Sequence, residues 1–382
     1  MQSIMLPLYA YTDHHRQHLM MLQKALHIAG WLIALGGLGL AVLSLLPYVA
    51  PNFWVADNMS FFLIQLLTLG MIALIVGLAT LALAPERRPR LIYALALLTA
   101  LLATTTGLSL MRSQSFIRGA ALPLEAGDIP LKIVALNANH RFLGSQEIAN
   151  YMAQQNADVI VIEEASWRSQ ERLWQSRHGT NSSLAGSDPY PAHVVASDLG
   201  DVVVFSRYPV ERSSHTEITP LPETGLRHYA IREYLDVVLN VEGKALRLIA
   251  MHPTSPHNMA LWKMRNVYYD NIARELEKPA GRDLPTIVIG DWNLAPWSKT
   301  FAKVIAAGNL HVRFPDGQPQ TTRFFKNYHL RMMLGAPVDH AAANSGARIR
   351  NVEIGEDVGS DHLPLSVSVS LRGNGGSNTA QN

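Results

Sequence analysis

The sequence predicts an α/β protein in two parts, three transmembrane helices followed by a mixed α/β domain. Three observations lead there. Three long stretches of the N-terminal part contain no charged residue. The remainder breaks into short apolar runs separated by turn clusters. Those runs meet acids, amides or imidazoles at their ends again and again.

Residues 28–48, 60–84 and 91–110 lack Asp, Glu, Lys and Arg, and each stretch has 20 or more residues. A helix rising about 1.5 Å per residue needs roughly 20 residues to cross the hydrocarbon core. Small residues in AGWLIALGGLGLAVLS (29–44) and GLATLALA (77–84) allow close helix contact. A signal peptide would have an apolar core of only about 7 to 15 residues. The first run is longer and two more follow, so an uncleaved anchor is expected. Arg16 and Lys24 precede it, the link 51–59 has Asp57 and no basic residue, and PERRPR (85–90) has three arginines. Positive charge favours the cytoplasmic side. The expectation is a multi-pass inner (cell) membrane protein, N-terminus cytoplasmic and C-terminal domain on the outer, periplasmic side. Arg112 and Arg118 weigh mildly against that orientation.

Composition changes along the chain. Of 32 Lys and Arg and 30 Asp and Glu, seven basic and three acidic residues lie in 1–118, leaving 25 and 27 for the rest. The expected division is a membrane domain at 1–118, a second domain at 119–371 and a disordered Gly/Ser/Asn-rich tail at 372–382. There is no cysteine, which excludes disulfides, thiolate nucleophiles and cysteine zinc sites.

In the second domain LKIVAL (131–136), DVIVIE (158–163), DVVVFS (201–206), LDVVLNV (235–241), ALRLIAM (245–251) and PTIVIG (285–290) read as strands. Helical patterns at 145–156 and 259–278 fall between them, hence a mixed α/β domain.

Polar residues cluster at the C-terminal ends of these runs. LKIVAL leads into Asn137 and Asn139, DVIVIE into Glu163 and Glu164, ALRLIAM into His252, and PTIVIG into Asp291 and Asn293. Later come Asp339-His340 and Asp361-His362. Residues i and i+2 of an extended segment face the same side, so Asp291 and Asn293 could address one ligand. Asp and Asn are also common where strands become loops, so that stretch alone leaves turn chemistry open. A shared cluster at one end of the sheets is the economical explanation of the whole set.

With the motifs LNAN, the strand ending in EE, GDVVVFSRYPV, MHP, GDWN, VDH and GSDHLP in this order, residues 130–371 resemble the endonuclease/exonuclease/phosphatase superfamily. GDWN and SDHLP are the specific motifs; MHP alone would be weak. The resemblance implies a four-layer α/β/β/α sandwich and a divalent-metal-dependent phosphoester hydrolase, most readily a phosphodiesterase acting on nucleic acid or lipid headgroups. It implies metal binding by Glu164, with Asn137 and Asp361 close by, for which Mg²⁺ or Mn²⁺ is the fitting ion. It further implies His362 as general base or phosphate stabiliser oriented by Asp339, Asp291 as the group handling the attacking water, Asn293 as a donor to the phosphoryl oxygen, and His252 as proton donor to the leaving group. Asn139 departs from the acid that some members carry there, leaving the metal count open.

Arg232 and Arg265 are candidate phosphate contacts, and Glu163 is expected to be a solvated neighbour of Glu164. A phosphomonoesterase with the same site, or an idle phosphate- or partner-binding domain, are the alternatives. The near balance of 25 bases and 27 acids gives no sign of strong non-specific nucleic-acid binding. The expected partners are the lipid bilayer and a phosphoester substrate.

Overall fold

The protein is described from a computed structural model covering residues 6–83, 89–140, 145–165, 193–199, 201–226, 231–278, 283–325 and 327–372. The tail from 373 onward lies outside the described residues. The chain forms two compact units, Met1–Met111 and Arg112–Asn382. The division falls before the change in composition because Phe116–Ile117 already pairs with a strand of the second unit.

In the first unit, helices Leu6–Val49 and Pro89–Arg112 contain the first and third charge-free runs, and helix Leu63–Ala82 lies within the second. With the short elements before the second helix included, the stretches long and apolar enough to cross a membrane are Met20–Val49, Trp54–Ala82 and Pro89–Arg112, with mean hydropathies of 2.1, 2.5 and 1.9. The first helix begins well before its apolar run, since extending a helix costs less than nucleating one. Ala34, Ala41, Leu74, Leu91, Leu95 and Leu98, from all three helices, form the core of the unit. The packing depends on missing side chains: a Cβ on Gly77 would lie 2.6 Å from Leu95 Cδ2, and one on Gly37 2.8 Å from Leu98 Cδ2. Leu32, Ile72, Ile75 and Leu97 point outward and are exposed, an apolar exterior suited to lipid.

The second unit contains two sheets. One has six strands in the order β14 (Ala347–Ile354), β15 (Leu365–Leu371), β2 (Ile129–Asn137), β3 (Val159–Glu163), β5 (Val202–Ser206) and β4 (Val194–Ala196). The other has seven, in the order β1 (Phe116–Ile117), β10 (His311–Arg313), β13 (Asp339–Ala343), β9 (Thr286–Asp291), β8 (Lys244–Met251), β7 (Arg232–Val241) and β6 (Val210–Ile218). A separate pair, β11 (Arg323–Phe324) with β12 (Gly335–Ala336), forms a hairpin outside both.

Three apolar clusters define four layers. Ile133, Ala135, Val159 and Val161 of the first sheet meet Val237, Leu248, Ile287 and Ile289 of the second between the sheets. Val134, Leu136, Ile160 and Ile162 turn the other way and pack with Ile148 and Met152 of helix Gln146–Gln155. On the far side, Ile249 and Val288 pack with Tyr268, Ile272, Phe301 and Val304 of helices Met259–Glu277 and Lys299–Ala307. Alternate residues of one strand serve different layers, and central strands covered on both faces are apolar throughout. The result is the α/β/β/α sandwich.

Candidate active site

Register brings the polar strand ends together. β2 and β3 run parallel with Asn137 opposite Glu163, β3 and β5 run antiparallel with Glu163 opposite Val202, and β9 and β13 pair Asp291 with Asp339. The rim therefore collects the ends of β2, β3, β8 and β9 and the starts of β5, β13 and β15. Here the sequence reading needs correction: Asp339 opens β13, and Asp361 and His362 precede β15. An antiparallel neighbour reaches the same rim with its first residues rather than its last.

The carboxylate of Asp291 is the hub. Its Oδ2 accepts hydrogen bonds from Asn137 Nδ2 at 3.1 Å and Asn293 Nδ2 at 3.0 Å, and its Oδ1 accepts one from the Asn293 backbone N–H at 2.8 Å. Two imidazoles face it: His362 Nε2 and His252 Nε2 each lie 3.7 Å from Oδ2. Behind His362, Nδ1 lies 3.0 Å from both oxygens of Asp339, whose backbone N–H donates to Thr322 Oγ1. Behind His252, Nδ1 lies 2.9 Å from Asp201 Oδ2. Each ring thus has one nitrogen on a carboxylate and the other turned into the site.

Glu164 completes the group. Its Oε1 accepts from Asn137 Nδ2 at 3.1 Å and lies 3.4 Å from His252 Nε2, while its Oε2 is 3.1 Å from His140 Nε2. Glu164 and Asn293 have φ values of 48° and 44°, the left-handed region that side chains seldom occupy. These turns redirect the chain at the point where each strand delivers its functional residue.

Burial opposes the charged form of both histidines, but carboxylates outweigh it. Asp201 and Glu164 raise His252 well above the usual imidazole range, and Asp339 with Asp291 raises His362. Burial lifts Asp291 above the ordinary carboxylate value despite the two histidines. The same burial acts on Asp339 and Glu164, yet charge and hydrogen bonds from His362 in one case, and from His252 and Asn137 in the other, bring both below it. The site therefore combines imidazoles shifted toward their protonated form with a more basic carboxylate at its hub.

Several expectations change. Glu163 is not solvated: strand alternation turns it inward between the sheets, where burial raises its carboxyl well above the usual value. Arg265 is fully buried and donates to the Asn293 carbonyl at 2.8 Å, so it braces the GDWN turn instead of meeting a phosphate. Arg232 bonds the carbonyl of Ile231. The arginine at the rim is Arg323, 3.1 Å from Ser255 Oγ and 3.4 Å from Asp361 Oδ2. Ser255 in turn donates to Asn293 Oδ1 at 2.7 Å. Asp201, Thr322, Arg323 and Ser255 escaped the sequence reading; Asp201 had a signal, as the acid that opens DVVVFS. His340 of the VDH motif faces away from Asp291, among Trp292, Phe301 and Phe314.

Residues fit to hold a hard divalent ion are present. Glu164 is kept ionised, and its side chain is 24% exposed against 32% for Asp361, so both carboxylates are accessible beside the buried hub. Oxygen donors of this kind suit Mg²⁺ or Mn²⁺. Asn137 stands beside them: its Oδ1 accepts the Asn139 backbone N–H at 3.0 Å and its amide nitrogen faces Glu164 and Asp291. Asp291, Asp339 and His362 also form a buried group with ligand atoms within 4.8 Å of one another.

The layered α/β fold brings carboxylates, amides and imidazoles from the ends of several strands to one rim. Residues 134–362 match the model of the endonuclease/exonuclease/phosphatase family, and the chain belongs to that family, whose members are generally phosphoester hydrolases dependent on divalent metal. Similar solved structures include sphingomyelinase C from Streptomyces griseocarneus, at 18% identity over 63% of this chain and 99% of that one, with a TM-score of 0.44. The human Nocturnin catalytic domain is similar at 14% identity over 64% and 96%, TM-score 0.45. The mannosyl-6-phosphatase Bt3783 of Bacteroides thetaiotaomicron is similar at 14% over 63% and 99%, TM-score 0.45. No curated protein matches the chain.

Proposed function

We propose that the protein is a membrane-anchored, divalent-metal-dependent phosphodiesterase that directs water onto phosphorus. The supporting observation is the meeting of Asp291 Oδ2 with the Nε2 atoms of two carboxylate-backed histidines. A binding module has no need of such a paired acid and base.

Asp291 takes a proton from water as its oxygen bonds to phosphorus, a role helped by its raised basicity. Asn137 and Asn293 hold that carboxylate in place. His362, protonated and fixed by Asp339, donates to a phosphoryl oxygen on which charge grows. As the ester P–O bond breaks, His252 passes its Nε2 proton to the departing oxygen, leaving a phosphomonoester and an alcohol. Glu164 and Asp361 would hold Mg²⁺ or Mn²⁺, which when bound neutralises charge on the phosphorus oxygens.

The balance of 25 basic and 27 acidic residues after position 118 gives no sign of strong non-specific binding to a nucleic-acid backbone. That balance favours a phosphoester displayed at a membrane. The arginines of PERRPR support an inner-membrane orientation with the N-terminus cytoplasmic and Arg112–Asn382 outside.

The test is turnover by the full chain in vesicles, with bis-p-nitrophenyl phosphate, p-nitrophenyl phosphate, DNA, RNA, sphingomyelin and phosphoinositides offered in turn. Diester cleavage that EDTA stops and Mg²⁺ or Mn²⁺ restores is expected. Preference for the monoester would replace this reading with a phosphatase, and no hydrolysis of any substrate would remove it.

A further inference from the structure

The loop between β11 and β12 displays large apolar side chains: Phe325 is 46% exposed, Leu330 43%, Met332 65%, Met333 70% and Leu334 45%. Among the described residues of the second unit, the other exposed large hydrophobics are the scattered Leu124, Leu199 and Met259. A contiguous patch of this kind on a folded domain marks a surface that meets something apolar.

Backbone hydrogen bonds tie the described residues of the loop together. Leu330 N–H donates to Asn327 O at 3.0 Å, Leu334 N–H to Leu330 O at 2.8 Å, and Phe325 N–H to Leu334 O at 3.2 Å. The Arg331 guanidinium lies 4.0 Å above the Tyr328 ring. Its base is fastened to the active-site rim, where Leu363 N–H donates to Thr322 O at 2.7 Å and Phe324 N–H to Asp361 O at 3.0 Å.

Two features identify the occupant. The stretch RFFKNYHLRMMLGA (323–336) carries Arg323, Lys326 and Arg331 and no acid, the pairing of apolar and basic residues that suits anionic headgroups over acyl chains. The domain also begins at Arg112, the last residue of a helix able to cross a bilayer, so chain connectivity keeps it beside one.

We propose that the 325–334 tip inserts its apolar side chains into the bilayer surface and sets the adjoining rim at the level of the headgroup phosphates. Insertion is independent of hydrolysis and is read without turnover, so it stands or falls separately from the activity.

The absence of native cysteine makes the measurement direct. Full-length Met333→Cys is labelled with an environment-sensitive fluorophore and reconstituted in phosphatidylglycerol/phosphatidylcholine vesicles containing lipids with a nitroxide high on the acyl chain. Lys303→Cys, on helix Lys299–Ala307, is the control. Quenching at 333 at least about fivefold above that at 303 is expected, and a Leu330→Cys label should lose its quenching when Met332→Asp and Met333→Asp are added. Equal quenching at both sites, with equal access to aqueous iodide, would overturn the proposal. So would shielding from iodide without lipid quenching, whether it points to a second copy by vanishing on dilution or to a protein partner by persisting.

Discussion

His252 Nδ1 lies 2.9 Å from Asp201 Oδ2, and that contact fixes which nitrogen of the ring faces the hub. Burial alone would push the imidazole toward neutrality; the Asp201 carboxylate holds its proton. Asp201→Asn should lower the His252 pKa. If the protonated ring serves the leaving group, the alkaline fall in activity then moves to lower pH, with turnover reduced by about 10²-fold. A pH–rate profile with bis-p-nitrophenyl phosphate reads both effects, and an unmoved alkaline limb would remove His252 from the proton path.

Asp291→Asn keeps the shape of the hub and removes its charge. One of its two acceptor oxygens becomes an NH₂ that faces existing donors, and water loses its base. Turnover at saturating metal should fall by at least about 10²-fold, with the chain still folding and melting somewhat earlier for the lost acceptor. Retention of wild-type turnover would assign the proton to another group.

His340 gives the fold a pH dependence of its own. Its Nε2 lies 2.9 Å from the Leu294 carbonyl, and burial pushes its pKa from 6.5 down to about 4. The folded protein thus declines a proton that the unfolded chain accepts. The stability involved is complete above about pH 6.5 and is lost as pH falls toward 4, by on the order of 3 kcal/mol. His340→Phe fits the aromatic surroundings and should flatten this slope in fluorescence-monitored melts of the full chain, though the lost hydrogen bond costs about 1 kcal/mol at neutral pH.

Gly290 precedes the hub with φ of +136°, and a Cβ there would press on Met251 O and stand 2.7 Å from Glu163 Oε1. Gly290→Ala should destabilise the second unit by on the order of 2–4 kcal/mol. Its measure is an earlier melt together with lost turnover, and an unchanged melt would show that β8 and β9 can separate without cost.

The central strands were legible because burial on both faces makes them uninterrupted apolar runs, against which Glu164, His252, Asp291 and Asn293 stand out. Strands with one exposed face or broken patterns gave no such contrast. β6 reads VERSSHTEI and is largely exposed, and β15 reads LSVSVSL with serines at alternate positions. Arg323 sits on a two-residue strand too short for any periodicity. Glu163 and Glu164 are the same residue type side by side; the pleat sends Glu163 into the interior, and the left-handed turn after the strand delivers Glu164 to the rim, neither visible in the letters.

The hydrolytic groups belong to interior strands, whereas the 325–334 tip hangs from a hairpin that lies in neither sheet. Lengthening, shortening or recolouring that projection changes what the protein touches, while the spacing of Asp291 from its two imidazoles is set elsewhere. Changes at the tip of that loop therefore leave the strands that carry Asp291 and its two imidazoles untouched.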